Sequence, residues 1–179
     1  MSALDSIFKR VTVRHYESRP VDFDKLVTLA RAAHKAPTGG NTPYRRVMII
    51  DDLNTIEMIK KIAPGYLSNA PAAILIYTDL DVAERGLGKL GRDVCSLIDS
   101  GAAAANVSIA AVELGLATCF TKSYSEIGMR RVLDIPDNHR TDILVQVGYP
   151  MPGRPKGIRS KAAGKIIYHN RHGVPLSEG

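Results

Sequence analysis

FKRVTVRHY, residues 8–16, sets Arg10, Thr12 and Arg14 at every second position. In an extended segment alternate side chains point to one side, so two guanidiniums and a hydroxyl can converge on one anion. In a helix the same three would fan over roughly 200° and could not share a target. Guanidinium grips phosphate through two parallel hydrogen bonds, so the extended reading is also a phosphate-site reading. The plain alternative is a solvated basic segment near the N-terminus.

Outward from that stretch, residues 3–9 read as a short helix carrying Leu4, Ile7 and Phe8, and Pro20 punctuates the loop that follows. Residues 22–34 have Leu26, Leu29 and Ala30 at helical spacing, with Asp22 as the expected cap. Residues 36–43, APTGGNTP, are all turn or capping types. Strands are expected at 46–50, 72–77, 116–121 and 141–147, and helices at 54–62 and 124–133. Residues 92–114 make one long helix with alanines at its centre. Such small side chains allow close approach of another helix, as the spine of the domain or as a subunit contact. The tail, 151–179, is rich in Pro, Gly and Lys around one extended piece at 165–169, and is expected to gain order by wrapping a partner. Helices and strands interleave without a strict βαβ repeat, which predicts an α+β layer fold.

The length, 179 residues, suits one domain over 1–179 with a proper core, and 45% hydrophobic with 23% charged residues is globular usage. An excess of 24 basic over 18 acidic residues leaves +6, which suits an anionic ligand. The basic residues are dispersed and aromatics reach only 6%. With no glycine-aromatic signature and no Cys/His finger, a nucleic-acid partner is not expected. Cys95 and Cys119 lie in apolar runs, and two cysteines cannot hold an iron–sulfur cluster alone. No secretory signal is visible, so a cytoplasmic setting is expected. The most apolar window, 101–120, contains Asn106, Ser108 and Glu113 and breaks at Gly115-Leu116. A buried helix is expected there, and no membrane span.

Other motifs carry less. GLGKLG, residues 86–91, spells the dinucleotide fingerprint, but that chemistry needs the first glycine directly after a strand, and an acidic helical piece at 79–84 intervenes. A flexible loop is the expectation. His169 and His172 form the one close histidine pair, with no third ligand nearby, so no metal is expected. Cys119 has no nucleophile signature, and no G-x-S-x-G elbow exists. The loop at Pro37–Pro43 can present backbone amides, Thr38 and Asn41 to the polar edge of a heterocycle, or can be a plain helix-to-strand connector. Residues 115–121 can lay a strand against a flat ring or simply fill the core.

Taken together these pieces resemble the nitroreductase family of flavoproteins, in the family's order from Ile7 to about His169. R-x-[ST]-x-R-x-[FY] is matched by Arg10-Val11-Thr12-Val13-Arg14-His15-Tyr16, and A-P-[ST]-x-x-N by Ala36-Pro37-Thr38-Gly39-Gly40-Asn41. Asn69-Ala70-Pro71 precedes the second strand, D-x-G-x-A-A-x-N spans 99–106, and Gly115-Leu116, Ile135-Pro136 and Gly148-Tyr149-Pro150 follow. Separate signals agreeing in register carry more weight than any one of them. The resemblance implies a central mixed or antiparallel sheet flanked by helices, a long central helix, and FMN bound at a homodimer interface. Arg10 and Thr12, with Val11 between them, would hold the phosphate, and Arg14 would reach the ribityl chain and the N1/O2 edge. Pro37, Thr38 and Asn41 would come from the other subunit, and backbone near Phe120 and Thr121 would face the ring. A C-terminal basic residue, Arg159 or Lys161, would close the phosphate site.

The implied activity is NAD(P)H-dependent reduction of nitroaromatics or quinones by ping-pong hydride transfer, with no catalytic side chain beyond the flavin contacts. Alternatives on the same resemblance are a specialised flavin reaction such as reductive dehalogenation, or flavin binding without turnover. The family's N-x-Q-P-W is shortened here to Asn41-Thr42-Pro43-Tyr44, without the glutamine. Only about a dozen residues separate the second strand from the long helix, so an open, shallow pocket without a helical lid is expected.

Overall fold

A computed structural model describes residues 2–153 and 167–174. Its elements in chain order are α1 (Ala3–Lys9), α2 (Phe23–His34), β1 (Arg45–Ile50), α3 (Leu53–Ile62), β2 (Ala72–Asp79), α4 (Leu80–Leu90), α5 (Ser96–Glu113), β3 (Ala117–Thr121), α6 (Glu126–Val132) and β4 (His139–Gly148). The strands form a four-stranded sheet in the order β1-β2-β4-β3, with every adjacent pair antiparallel. The α+β expectation holds.

Apolar residues at every position of a central strand imply that both sheet faces are covered. β2 does this: Ala72, Ile74 and Ile76 join a core with Leu26 and Leu29 of α2 and Ala103, Ala104, Val107 and Ala111 of α5. Ala73 and Leu75 face the other way, into a core with Ile56 and Ile59 of α3 and Met129 of α6. The alanines of α5 let the helix sit close on α2 and the sheet. The run Leu80–Glu113 is apolar and long enough to cross a membrane by composition, yet its inner face is core, as a buried helix requires. Across α5 and β4, Arg140 Nε donates to Asp142 Oδ1 at 2.6 Å, while Asp142 Oδ2 accepts from Thr78 and Ser100. A buried carboxylate is tolerable when its acceptor sites are filled in this way.

Two local expectations change. Residues 86–91 are the end of α4 and the start of a π-helical turn, Gly91–Cys95, that runs into α5. Two glycines of GLGKLG have a packing reason and the third a conformational one. A Cβ on Gly86 would meet Thr42 Cγ2 at 2.5 Å, and one on Gly91 would meet the Ala83 carbonyl at 2.8 Å. Gly88 turns the chain at φ 63, ψ −161, a conformation open essentially to glycine alone. The fingerprint spelling is therefore a kinked helix joint, and α4 packs down on the loop at Gly39–Asn41, where no helical cover was expected. Second, Asp22 precedes α2 but makes no side-chain cap; its carboxylate accepts from the Tyr149 hydroxyl at 2.9 Å instead. The stretch after α1 is extended, as expected. It touches β3 through a parallel bridge, Thr12 to Thr118, and Val13 N–H donates to the Thr118 carbonyl at 3.1 Å.

Candidate functional site

The extended stretch lies along the outer edge of β3 and shows the alternation its sequence demands. Val13 is buried and Tyr16 fully so, while Thr12 and Arg14 are exposed and Arg10 is half-buried. Neither guanidinium has an ion pair or hydrogen bond among the described residues, and the Thr12 hydroxyl is equally unengaged. Other arginines are committed to structure: Arg46 to Asp79, Arg92 to Glu84, Arg130 to Glu126 and Arg140 to Asp142. A cavity of about 120 Å³ opens beside Arg10 and Val11, walled by Ser108 and Val112 of α5, the Gly115–Thr118 turn and strand start, and Pro150. Arg10 at the cleft, with Thr12 and Arg14 following on the same extended stretch and equally without a side-chain partner among the described residues, forms a donor set suited to a phosphate.

Because Thr118 presents its carbonyl to Val13, strand alternation turns the backbone of Phe120 to the same free edge. The Phe120 side chain is 43% exposed. Thr121 differs. Its hydroxyl is buried, donates to the Gly65 carbonyl at 3.1 Å and accepts from Gln146, which in turn is gripped by Ser68. Thr121 fixes the end of β3, and by the same alternation its backbone polar groups face β4, leaving Phe120 as the residue whose backbone meets the edge. Cys119 is buried beside it, and burial raises its thiol pKa, which makes it inert packing.

The second expected ligand segment lies elsewhere. Residues 39–41 form one 3₁₀ turn in which Gly40 (φ 56) and Asn41 (φ 53) are both left-handed. Pro37 and Asn41 are exposed, Thr38 is half-buried, and the Thr38 and Asn41 side chains have no partner among the described residues. The turn is tied down by groups that sequence reasoning did not single out. Gly39 N–H donates to Asp99 Oδ2 at 2.7 Å, and the buried Tyr44 hydroxyl donates to the same oxygen. The Arg45 guanidinium donates to the carbonyls of Ala36 (2.8 Å), Pro37 (2.5 Å) and Asp99 (3.1 Å). Burial, helped by the bond to Asp99, pushes the Tyr44 hydroxyl up to about 12, so it stays a donor at any ordinary pH. The signal for Asp99 was its place in the D-x-G-x-A-A-x-N run. Nothing local marks Arg45 as a loop anchor.

The turn and the extended stretch are not brought together. Gly39 is tethered at Asp99 near the start of α5, whereas Arg10 shares its cleft with Val112 near the end. At 1.5 Å per residue that is about 20 Å along the helix. Arg159 and Lys161 lie outside the described residues. Among those described, no cluster of three or more His, Cys, Asp or Glu side chains is placed to hold a metal.

A model described as "Nitroreductase family" matches residues 7–66 and 63–149, most of the chain. The chain belongs to the nitroreductase family. A protein of Archaeoglobus fulgidus, provisionally named NADH dehydrogenase/NAD(P)H nitroreductase, is 29% identical over 156 residues, 82% of this chain and 84% of its own. A solved nitroreductase family protein of Clostridium difficile 630 superposes with a TM-score of 0.76 at 27% identity, covering 93% of this chain and 94% of that one. A structure described as an FMN-dependent nitroreductase of Clostridium difficile R20291 shares the fold at a TM-score of 0.73 and 22% identity, covering 94% and 99%. Nitroreductase-family membership makes oxidoreductase chemistry the class to which the site belongs.

Proposed function

We propose that this nitroreductase-family protein is an FMN-dependent NAD(P)H oxidoreductase acting on electron-poor acceptors such as nitroaromatics and quinones. The observation that carries the reading is the unengaged, same-side set of Arg10, Thr12 and Arg14 along the free edge of β3. Arg10 and Thr12 hold the phosphate, with Val11 lining the cleft. Arg14, two residues further along the edge, reaches the ribityl chain and the N1/O2 side of the ring, where positive charge favours the reduced, anionic form. The backbone of Phe120 lies under the ring. When bound, FMN supplies the hydride and electron transfer from NAD(P)H to the acceptor in a ping-pong cycle, and no protein acid or base is required.

Distance supports a site shared between two chains. Pro37, Thr38 and Asn41 sit about 20 Å along α5 from the Arg10 cleft, so their contribution to an FMN held at Arg10 comes from a second copy. An exposed apolar stripe running from Val94 of the π-helical turn onto α5, with Leu97 and Ile98 followed by Gly101 and Ala105, supports a homodimer through that helix. Arg159 or Lys161 completes the phosphate site from the tail. The test is FMN titration of flavin-free protein followed by steady-state NADPH oxidation with a quinone. One FMN per chain and quinone-dependent turnover are expected; FMN binding without turnover would leave a flavin-sequestering protein, and no FMN binding would end the reading.

A further inference from the structure

We propose that Asp99 and Tyr44 are positioning residues for the flavin ring: they set the Gly39–Asn41 turn so that Thr38 and Asn41 meet the ring carried by the partner chain. The inference rests on the FMN reading above and adds a role for two residues outside the ligand contacts. The turn closes on itself through Asn41 N–H to the Thr38 carbonyl at 2.9 Å and Thr42 N–H to the Gly39 carbonyl at 3.1 Å, bonds that do not tie it to α5. It is three residues long, two of them left-handed, and the Thr38 and Asn41 side chains have no partner among the described residues. Its fixed point is Gly39, whose N–H reaches Asp99 Oδ2 at 2.7 Å and the Tyr44 hydroxyl at 3.2 Å. One carboxylate oxygen thus takes both the loop backbone and the Tyr44 hydroxyl, and Arg45 clamps the Asp99 and Pro37 carbonyls together from the other side. Tyr44 is fully buried, and a Cβ on Gly39 would stand 2.8 Å from Leu87 Cδ1, so the loop is also pressed between α4 and α5.

The placement on α5 gives the tether its consequence. Asp99 points inward between Ile98 and Gly101, which belong to the exposed apolar stripe. A shift of α5 at the proposed subunit contact is therefore passed to the turn through the Asp99 carboxylate, and through the Arg45 clamp on the Asp99 and Pro37 carbonyls. Ring contacts and phosphate contacts then respond to different substitutions. Loss of the tether weakens the grip on the isoalloxazine and leaves the phosphate grip at Arg10 untouched.

The experiment compares FMN with riboflavin, which lacks the phosphate, on flavin-free Tyr44→Phe and Asp99→Asn proteins. Affinity for both flavins is expected to fall by about tenfold or more, the loss of a hydrogen bond or two. FMN and riboflavin should fall in the same proportion, with a shifted visible spectrum of the bound flavin. Arg10→Ala should weaken FMN alone. Tyr44→Phe keeps the buried ring, so it decides the matter if Asp99→Asn does not fold. Wild-type affinity and spectrum in Tyr44→Phe would overturn the inference while leaving the FMN reading intact. A wild-type protein that takes up neither flavin would overturn both.

Discussion

A single guanidinium shows how much of the site depends on what a side chain does not touch. Arg10 and Arg14 make no internal ion pair among the described residues, so replacing them removes ligand affinity without removing structure. Arg10→Ala is expected to weaken FMN binding by about 10- to 150-fold, the range for a charge-assisted hydrogen bond, with an unchanged thermal midpoint. A fluorescence titration beside a melting curve checks both halves. The tyrosines make the opposite case. Burial raises Tyr16, Tyr66 and Tyr124 above the usual phenol range, and Tyr44 reaches about 12. A folded-state value above the unfolded one gives stability that is complete below about pH 10 and is lost as pH rises through the folded values. Ultraviolet titration of tyrosinate should therefore show these four ionising together with alkaline unfolding, above pH 10; smooth ionisation near pH 10 in folded protein would refute it.

At the scale of elements, α4 and its joint to α5 are where local reading and tertiary structure part. The bounds of α1, α3 and β1 follow from periodicity and turn residues, and they agree with the sequence to within a residue or two. Residues 86–91 looked like a loop because three glycines in six lower helix propensity. Gly86 has a long-range reason, the close approach of Thr42, which no local pattern reveals, while Gly88 and Gly91 serve the kink itself, by a positive φ and by close contact with Leu87 and Ala83. The candidate site divides in the same way. Arg10, Thr12 and Arg14 were legible because alternation is local, whereas Arg45, Asp99 and Asp142 act across more than 40 residues of chain. Gly88→Ala should cost about 1–3 kcal/mol, since alanine pays a steric penalty at φ 63. Gly101 has open space around its would-be Cβ and lies mid-helix, so Gly101→Ala should be neutral or add about 0.5–1 kcal/mol. Urea unfolding of the pair separates strain from propensity.

The whole molecule places the Arg10 cleft and the Gly39–Asn41 turn at opposite ends of α5, which is the ground for proposing that two chains share the site. A bulky side chain at Gly101, on the exposed stripe, should turn the proposed homodimer into a monomer by sedimentation and lower FMN affinity with it. If Gly101→Leu stayed dimeric with normal FMN binding, the contact would lie elsewhere. The central claim, however, is chemical: the edge formed by Arg10 and Thr12 holds the FMN phosphate. The direct measurement is the ratio of FMN to riboflavin affinity in wild-type and Arg10→Ala proteins. The wild type should prefer FMN by at least about tenfold, and Arg10→Ala should lose most of that preference while riboflavin binding stays the same. A preference that survives the substitution unchanged would contradict the account.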